Sequence, residues 1–299
     1  MKASERLHKS LIKRRLLTAL LWLPVLLVLL RLLLALCQSA PDTSGKLLVD
    51  VIDVGQSDAV LLRCEDTAML IDSGTAMAGE RLLFELRRLG VEDLDYLVLT
   101  HPHEDHYGNA RRLLSELTVT TVLVTDSDEG DEGYGMLLAA MDERGISPIT
   151  AETGQNFALG DAQVEVLTAS GEDANNDSIV LRVSYGEAVL LFMGDGEAET
   201  EEALLARFDA TYLDCDFLKV GHHGSKTATT AVFAAVTTPA VAAISCGADN
   251  EYGFPHGEVL QILDEVGAAV YRTDLAGTLA FEANGHVIEV RKDEGSWLK

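Results

Sequence analysis

From residue 95 to 106 the chain reads DYLVLTHPHEDH, an apolar run that breaks into three imidazoles and two carboxylates. YLVL has the length and composition of a buried strand. A strand ending in His101, His103, Asp105 and His106 delivers all four groups to one edge of a sheet. Solvation alone would be served by Lys or Glu. Imidazole with carboxylate at this spacing is metal-ligand chemistry, and it restricts the chain to folds that gather strand ends around a common point.

The rest of the chain shows strands and helices in alternation. LLVDVIDVG (47–55), AVLLR (59–63) and AMLIDSG (68–74) read as strands ended by Gly or acidic residues. GERLLFELRRLG (79–90) has helical spacing and stops at Gly90. NARRLLSEL (109–117) reads as a helix and TTVLVT (120–125) as a strand, while the acidic stretch TDSDEGDEGYG (125–135) reads as a solvated loop. Further on, strands are expected in SIVLRVSYG, AVLLFMGD, DFLKVG, VAAISCG, AAVYRT, TLAFEANG and HVIEVR, with helices in AETEEALLARF and GEVLQILDEVG. With 47% hydrophobic residues in 299, one large layered α+β domain is expected over residues 47–299.

The N-terminus has a different character. Residues 16–36, LLTALLWLPVLLVLLRLLLAL, follow KRR; at about 1.5 Å per residue a helix there spans about 32 Å, enough for a hydrocarbon core. Residues 1–15 then form a basic cytoplasmic tail, 16–36 a transmembrane anchor and 37–46 a polar linker. The expected location is the cell membrane, single-pass with the domain outside the cell. A cleaved signal segment, which would release the domain as a secreted protein, is the competing reading. Seven basic residues against Glu5 give residues 1–40 a net charge of +6, so the chain's −25 leaves −31 for the remainder. A body this acidic does not attract polyanions from a distance, and a nucleic-acid substrate must be held by local groups or by metal. Cys37, Cys64, Cys215 and Cys246 lack metal-type spacing and read as buried thiols, with one disulfide among the last three as the alternative.

His101 and His103 can share one ion across a short turn, with Asp105 and His106 directed at a second. HxH pairs occur often on surface loops, but the full HxHxDH pattern after an apolar strand is far more specific. Asp195 after LLFMG is placed to bridge two ions, and His222 and His223 follow the strand DFLKV in GHHGSK. Alone, such an Asp is often a helix cap and such a His pair often polar surface. Together with the first cluster they put five of the eight histidines at two strand ends; His8 and His286 are read as incidental.

THPHEDHYG, FMGD and GHHGS in this order resemble the metallo-β-lactamase superfamily, whose fold is a four-layer αββα sandwich with a two-metal site at one edge. DVGQSDAVLL (53–62), NNDSIVL (175–181), LKVGHHGSK and YGFPH (252–256) are similar to the extracellular hydrolase domain of the ComEC competence (DNA internalisation) family. The resemblance covers most of residues 46–290. With one apolar span in place of the transport channel, the implied architecture is the hydrolase domain on its own anchor. Many superfamily members place a further His between the first cluster and the bridging Asp; here no His lies between His106 and His222, and NxxS-type residues match Asn175 to Ser178. The resemblance implies two divalent ions, Zn or Mn. The first would be held by His101, His103 and Asp195 with Asn176 nearby, and the second by Asp105, His106, Asp195 and His223, with His222 beside the substrate. The reverse roles of His222 and His223 remain open.

The implied chemistry is hydrolysis of a phosphodiester by a hydroxide bridging the ions. His222, Lys226 or His256 would stabilise charge or protonate the leaving oxygen. The ComEC pattern often has His where this chain has Phe254. Asn176, Ser178 and Ser225 are candidates for substrate contact, with capping as the structural alternative for the serines. Asp72 is expected to orient a ligand from behind. The substrate class expected first is DNA, with the enzyme a nuclease. A cell-envelope phosphodiester of the choline-phosphate type suits an acidic body better. A non-catalytic metal- or DNA-binding module of an uptake machine is the reading from another class.

Overall fold

The computed structural model describes Trp22 and residues 41–126, 130–171 and 173–291. Apart from Trp22, the expected anchor 16–36 and its basic tail lie outside the described residues, as does Cys37. Among the described residues no helix is long and apolar enough to cross a membrane.

Two sheets carry the fold. The first contains β1 (Leu47–Val51), β2 (Val60–Cys64), β3 (Thr67–Ile71), β4 (Asp93–Leu99), β5 (Thr118–Val124) and β6 (Ile149–Thr150). The second contains β7 (Asn156–Leu159), β8 (Ala162–Thr168), β9 (Val180–Tyr185), β10 (Ala188–Phe192), β11 (Phe217–Lys219), β12 (Val241–Ile244) and β13 (Ala269–Arg272). Then β14 (Leu279–Ala283) and β15 (Ile288–Val290) return to the first sheet, giving the order β15-β14-β1-β2-β3-β4-β5-β6. The second sheet runs β13-β12-β11-β10-β9-β8-β7. In the first sheet β3, β4, β5 and β6 are parallel; in the second, β10 to β13 are.

Three apolar layers explain why the strands read as continuous hydrophobic runs. Between the sheets, Val49, Val51 and Leu62 meet Val164, Leu190, Phe192 and Phe217. On the outer face of the first sheet, Leu61, Leu70, Leu97 and Leu99 meet Leu82 and Leu86 of helix Gly79–Arg88 and Leu113 of helix Ala110–Glu116. On the outer face of the second, Leu191, Leu218 and Ile244 meet Leu204, Phe233, Val259 and Leu263 from three further helices. A sheet covered on both faces needs apolar residues at successive positions, so all five residues of β1 and of β2 are buried. The result is the expected helix–sheet–sheet–helix order.

Several elements differ from expectation. The acidic stretch 125–135 is not loop throughout. Asp131 accepts a hydrogen bond from the Tyr134 backbone N–H at 2.7 Å and caps helix Glu132–Glu143, whose apolar side carries Tyr134, Leu137 and Met141. The hairpin β7–β8 and helix Ala231–Thr237 were not among the expected elements. Cys64, Cys215 and Cys246 are free buried thiols.

Candidate metal centre

The parallel strands of both sheets end at the same edge. β4 runs out into Thr100 and His101, and the short helix Glu104–Tyr107 carries Asp105 and His106. Asp195 follows β10 through a tight turn: Gly194 has φ +55°, and a Cβ there would lie 2.9 Å from Ser178 Oγ. Only glycine makes that turn without strain. After β11, His222 and His223 both take left-handed backbone, φ 46° and 53°, a conformation that non-glycine residues adopt at a cost. Gly224 follows at φ +81°, where a Cβ would meet Pro255 Cβ at 2.5 Å, so the loop closes tightly on the segment before helix Gly257–Glu265.

Asp105, His106, Asp195 and His223 converge, with one donor atom from each within 4.8 Å of all the others. Asp195 Oδ2 stands 3.3 Å from His106 Nε2 and 3.7 Å from His223 Nε2, and Asp105 Oδ2 is 3.3 Å from His223 Nε2. The far nitrogens of both rings are occupied. His106 Nδ1 donates to Asp72 Oδ2 at 2.8 Å and His223 Nδ1 to the Ser245 carbonyl at 2.9 Å, which turns each Nε2 toward the centre. Asp72 is itself held by the Thr100 N–H and hydroxyl.

His106 Nε2 and Asp195 Oδ1 are buried without a hydrogen-bond partner, an arrangement that costs free energy unless a cation takes their lone pairs. Two imidazoles and two carboxylates suit Zn, Mn or Fe, and the residues present therefore fit a divalent ion. Burial disfavours a charge on His106, but Asp195, Asp72 and Asp105 more than offset it and push the ring well above the ordinary imidazole value. For His223 burial is likewise outweighed, by Asp195 and Asp58, and the ring is raised to about 10. Burial raises Asp195, yet His106 and His223 hold it well below the usual carboxylate range. Such a site is built for positive charge at its centre.

The remaining expected residues divide. His101 is fully buried; its Nε2 lies 3.0 Å from His103 Nδ1 and 3.8 Å from Asp195 Oδ2. Burial, with His106 adjacent, pushes His101 well below the ordinary value, leaving a neutral ring able to ligate. His103 is exposed and stands outside the four-residue cluster. His222 also stands outside it, its Nε2 3.9 Å from Asp195 Oδ2 and its Nδ1 2.8 Å from Glu197 Oε1.

Asn176 is not turned to the site. Its carbonyl oxygen accepts from the Glu197 and Thr200 backbone N–H groups and the Thr200 hydroxyl, and its amide donates to Asp173. It secures the start of helix Ala198–Arg207 through its carbonyl oxygen. Ser178 is fully buried, accepting from the Asp195 N–H at 3.0 Å with His101 Nδ1 at 3.4 Å, so it braces Asp195 and His101 from behind. Ser225 is buried and hydrogen-bonded to Thr227. His256 Nδ1 accepts from the Lys226 N–H at 2.9 Å and ties the His-pair loop in place, while the Lys226 side chain is exposed.

Sequence reasoning missed three side chains. Glu197, which orients His222, looks in GDGEAE like an ordinary helix start. Lys219 and Asp58 form a buried pair at 2.7 Å, and Asp58 Oδ1 reaches to 3.4 Å from His223 Nδ1. Lysine inside the apolar strand DFLKV was the available signal.

The Metallo-beta-lactamase superfamily profile matches residues 52–248. The chain belongs to the metallo-β-lactamase superfamily. This metallo-β-lactamase-fold chain is 32% identical over 268 residues to ComE operon protein 3 of Bacillus subtilis, covering 83% of its own length and 34% of the relative's. It is 31% identical over 236 residues to competence protein ComA of Neisseria gonorrhoeae, covering 78% and 32%. These are ComEC-family proteins, and the chain spans about a third of the length of the curated relatives it matches. Among solved structures, the metallo-beta-lactamase fold protein YhfI of Bacillus subtilis aligns with a TM-score of 0.53 at 13% identity, over 79% of this chain and 100% of that one. At that identity the likeness speaks for the superfamily fold alone.

Proposed function

We propose that this chain is a metal-dependent phosphodiesterase that cleaves DNA, with two divalent ions, Zn or Mn, at the shared strand ends. The observation that carries the reading is the convergence of Asp105, His106, Asp195 and His223, with both histidines locked through their far nitrogens. His101, whose Nε2 lies 3.8 Å from the same Asp195 Oδ2, and His103 beside it are the ligands assigned to the other ion. Divalent ions there would neutralise a phosphoryl oxygen and generate a nucleophile from water near neutral pH. Kinship with competence proteins supports DNA as the substrate.

The chain's own residues supply the rest. His222 is part-exposed beside Asp195, with its Nδ1 donating to Glu197, and it is assigned to proton transfer at the leaving oxygen. Glu197 fixes the orientation of the ring through that contact. The location proposed is the outer face of the cell membrane, with residues 16–36 as anchor; the apolar length of that segment and the basic residues before it support this.

The −31 charge of residues 41–299 favours a second substrate reading, a small envelope phosphodiester of the choline-phosphate type. The deciding assay follows hydrolysis of bis(p-nitrophenyl) phosphate, single-stranded DNA and a choline-phosphate polymer by the full chain with added Mn²⁺ or Zn²⁺, with Asp195→Ala as control. Metal-dependent turnover of the DNA, lost in the variant, is expected. No turnover of any phosphodiester by folded, metal-loaded protein would overturn the reading.

A further inference from the structure

An aromatic side chain at the mouth of the site is held in the open. Tyr252 is 59% exposed, and its ring stacks on Phe254 with centroids 5.3 Å apart and planes 20° from parallel. Phe254 in turn lies over His223 at 6.4 Å and 22°, and meets His222 edge-on at 5.5 Å. Phe254 thus links the exposed Tyr252 ring to a residue of the ligand cluster. The loop bearing them is pinned: Asn250 accepts from the Phe254 N–H at 2.9 Å and donates to the Phe254 and Gly247 carbonyls. Gly253, at φ +73°, makes the turn between the two aromatics. Tyr252 is therefore preorganised with one face against Phe254 and most of its surface open.

We infer that Tyr252 is a stacking platform for a nucleobase, and that the preferred substrate of the phosphodiesterase site is a single strand. The inference rests on the phosphodiesterase reading and adds to it how the substrate is gripped. A body of charge −31 cannot hold a polyanion by neutralising many phosphates. Stacking supplies affinity without charge, and it is sequence-tolerant because every base has a π-face. A duplex keeps those faces inside its own stack, whereas a single strand offers them. Tyr252 stands at the open end of this offset ring series, stacked on Phe254 and leaving its outer face for a base. Grip by stacking also gives a shallow salt dependence, unlike that of a basic nucleic-acid channel.

The test measures binding of the full chain, with chelator present to silence cleavage, to a labelled oligothymidylate and to an abasic strand of equal length and charge. Tyr252→Ala is expected to weaken oligothymidylate binding about 5- to 150-fold and to leave the abasic strand unchanged, with Tyr252→Phe close to the parent. The parent should bind the single strand more tightly than the duplex of the same sequence. Equal binding of oligothymidylate by parent and Tyr252→Ala, equal losses for both strands, or no binding by the parent would each overturn the inference. So would a Tyr252-dependent grip on a sugar-phosphate wall polymer without one on oligothymidylate. Bis(p-nitrophenyl) phosphate turnover by the parent, measured separately with metal, reports on the enzyme reading alone.

Discussion

Lys219 Nζ and Asp58 Oδ2 meet at 2.7 Å with 2% and 3% of their side-chain surfaces exposed. Lys219 lies in β11 of the second sheet and Asp58 precedes β2 of the first, so this buried ion pair ties the sheets together directly behind His223. Removing one partner strands the other charge. Lys219→Met is therefore expected to cost about 3–5 kcal/mol, and Lys219→Met with Asp58→Asn to recover much of it. Denaturant melts of the three proteins check this; a double variant no more stable than Lys219→Met would show that the pair is not the unit that matters.

The same pair has a pH signature. Burial raises Asp58, but Lys219 and His223 outweigh it and hold the carboxyl below its ordinary range. A carboxylate whose folded pKa lies below its unfolded value stabilises above about pH 4, and that contribution is lost as pH falls toward the folded value. Without Lys219 the buried carboxyl is pushed upward, and its penalty applies on the alkaline side. The stability deficit of Lys219→Met is thus expected to shrink as pH falls from about 7 to about 4.5. Melts at several pH values in the presence of chelator read this directly.

Metal binding should stabilise the fold through Asp195. With free metal at about 100 times its dissociation constant, the gain is about 2.7 kcal/mol, or roughly 5–10 °C in Tm for a domain this size. Asp195→Ala should lose both the metal-dependent rise and the hydrolysis. Thermal scans with Mn²⁺, Zn²⁺ and EDTA separate the outcomes, and an undiminished rise in the variant would remove Asp195 from the ligand set.

Glu197 acts on His222 through the 2.8 Å contact to Nδ1. Glu197→Gln keeps an acceptor and loses the charge, so kcat on a phosphodiester should fall about 10- to 100-fold with KM and metal affinity little changed. His222→Ala should fall about 100- to 10,000-fold. A Glu197→Gln defect appearing in metal titration instead of kcat would place its role at the ions.

The loop carrying the His pair is held at its far end by Glu201, which is buried and accepts from the Thr229 N–H and, at 2.8 Å, from the Thr230 N–H. Glu201→Ala leaves both donors unsatisfied and is expected to cost about 2–4 kcal/mol. Chemical denaturation gives the number.

Legibility in the sequence followed the physics of each element. Strands covered on both faces are apolar over most of their buried length, so β1 to β5 and β9 to β12 stood out. His101, Asp105, His106, Asp195 and His223 could be picked out because imidazole and carboxylate are conspicuous beside such runs. Partners that act at a distance along the chain were not legible. Nothing in GDGEAE shows that Glu197 will reach His222, and nothing in NNDS shows that Asn176 will hold the next helix while Ser178 stays beside Asp195. Helix Glu132–Glu143 was hidden because its capping residue, Asp131, looked like one more charge in an acidic loop.

The four converging residues come from opposite halves of the chain: His106 from the first sheet's edge and His223 from the second's. Neither half carries a complete coordination sphere. Asp105 and His106 follow β4 of the first sheet, while Asp195 and His223 follow β10 and β11 of the second. The four residues therefore come together only when the second sheet has docked on the first. The cluster is thus a signature of the finished domain, absent from either half alone.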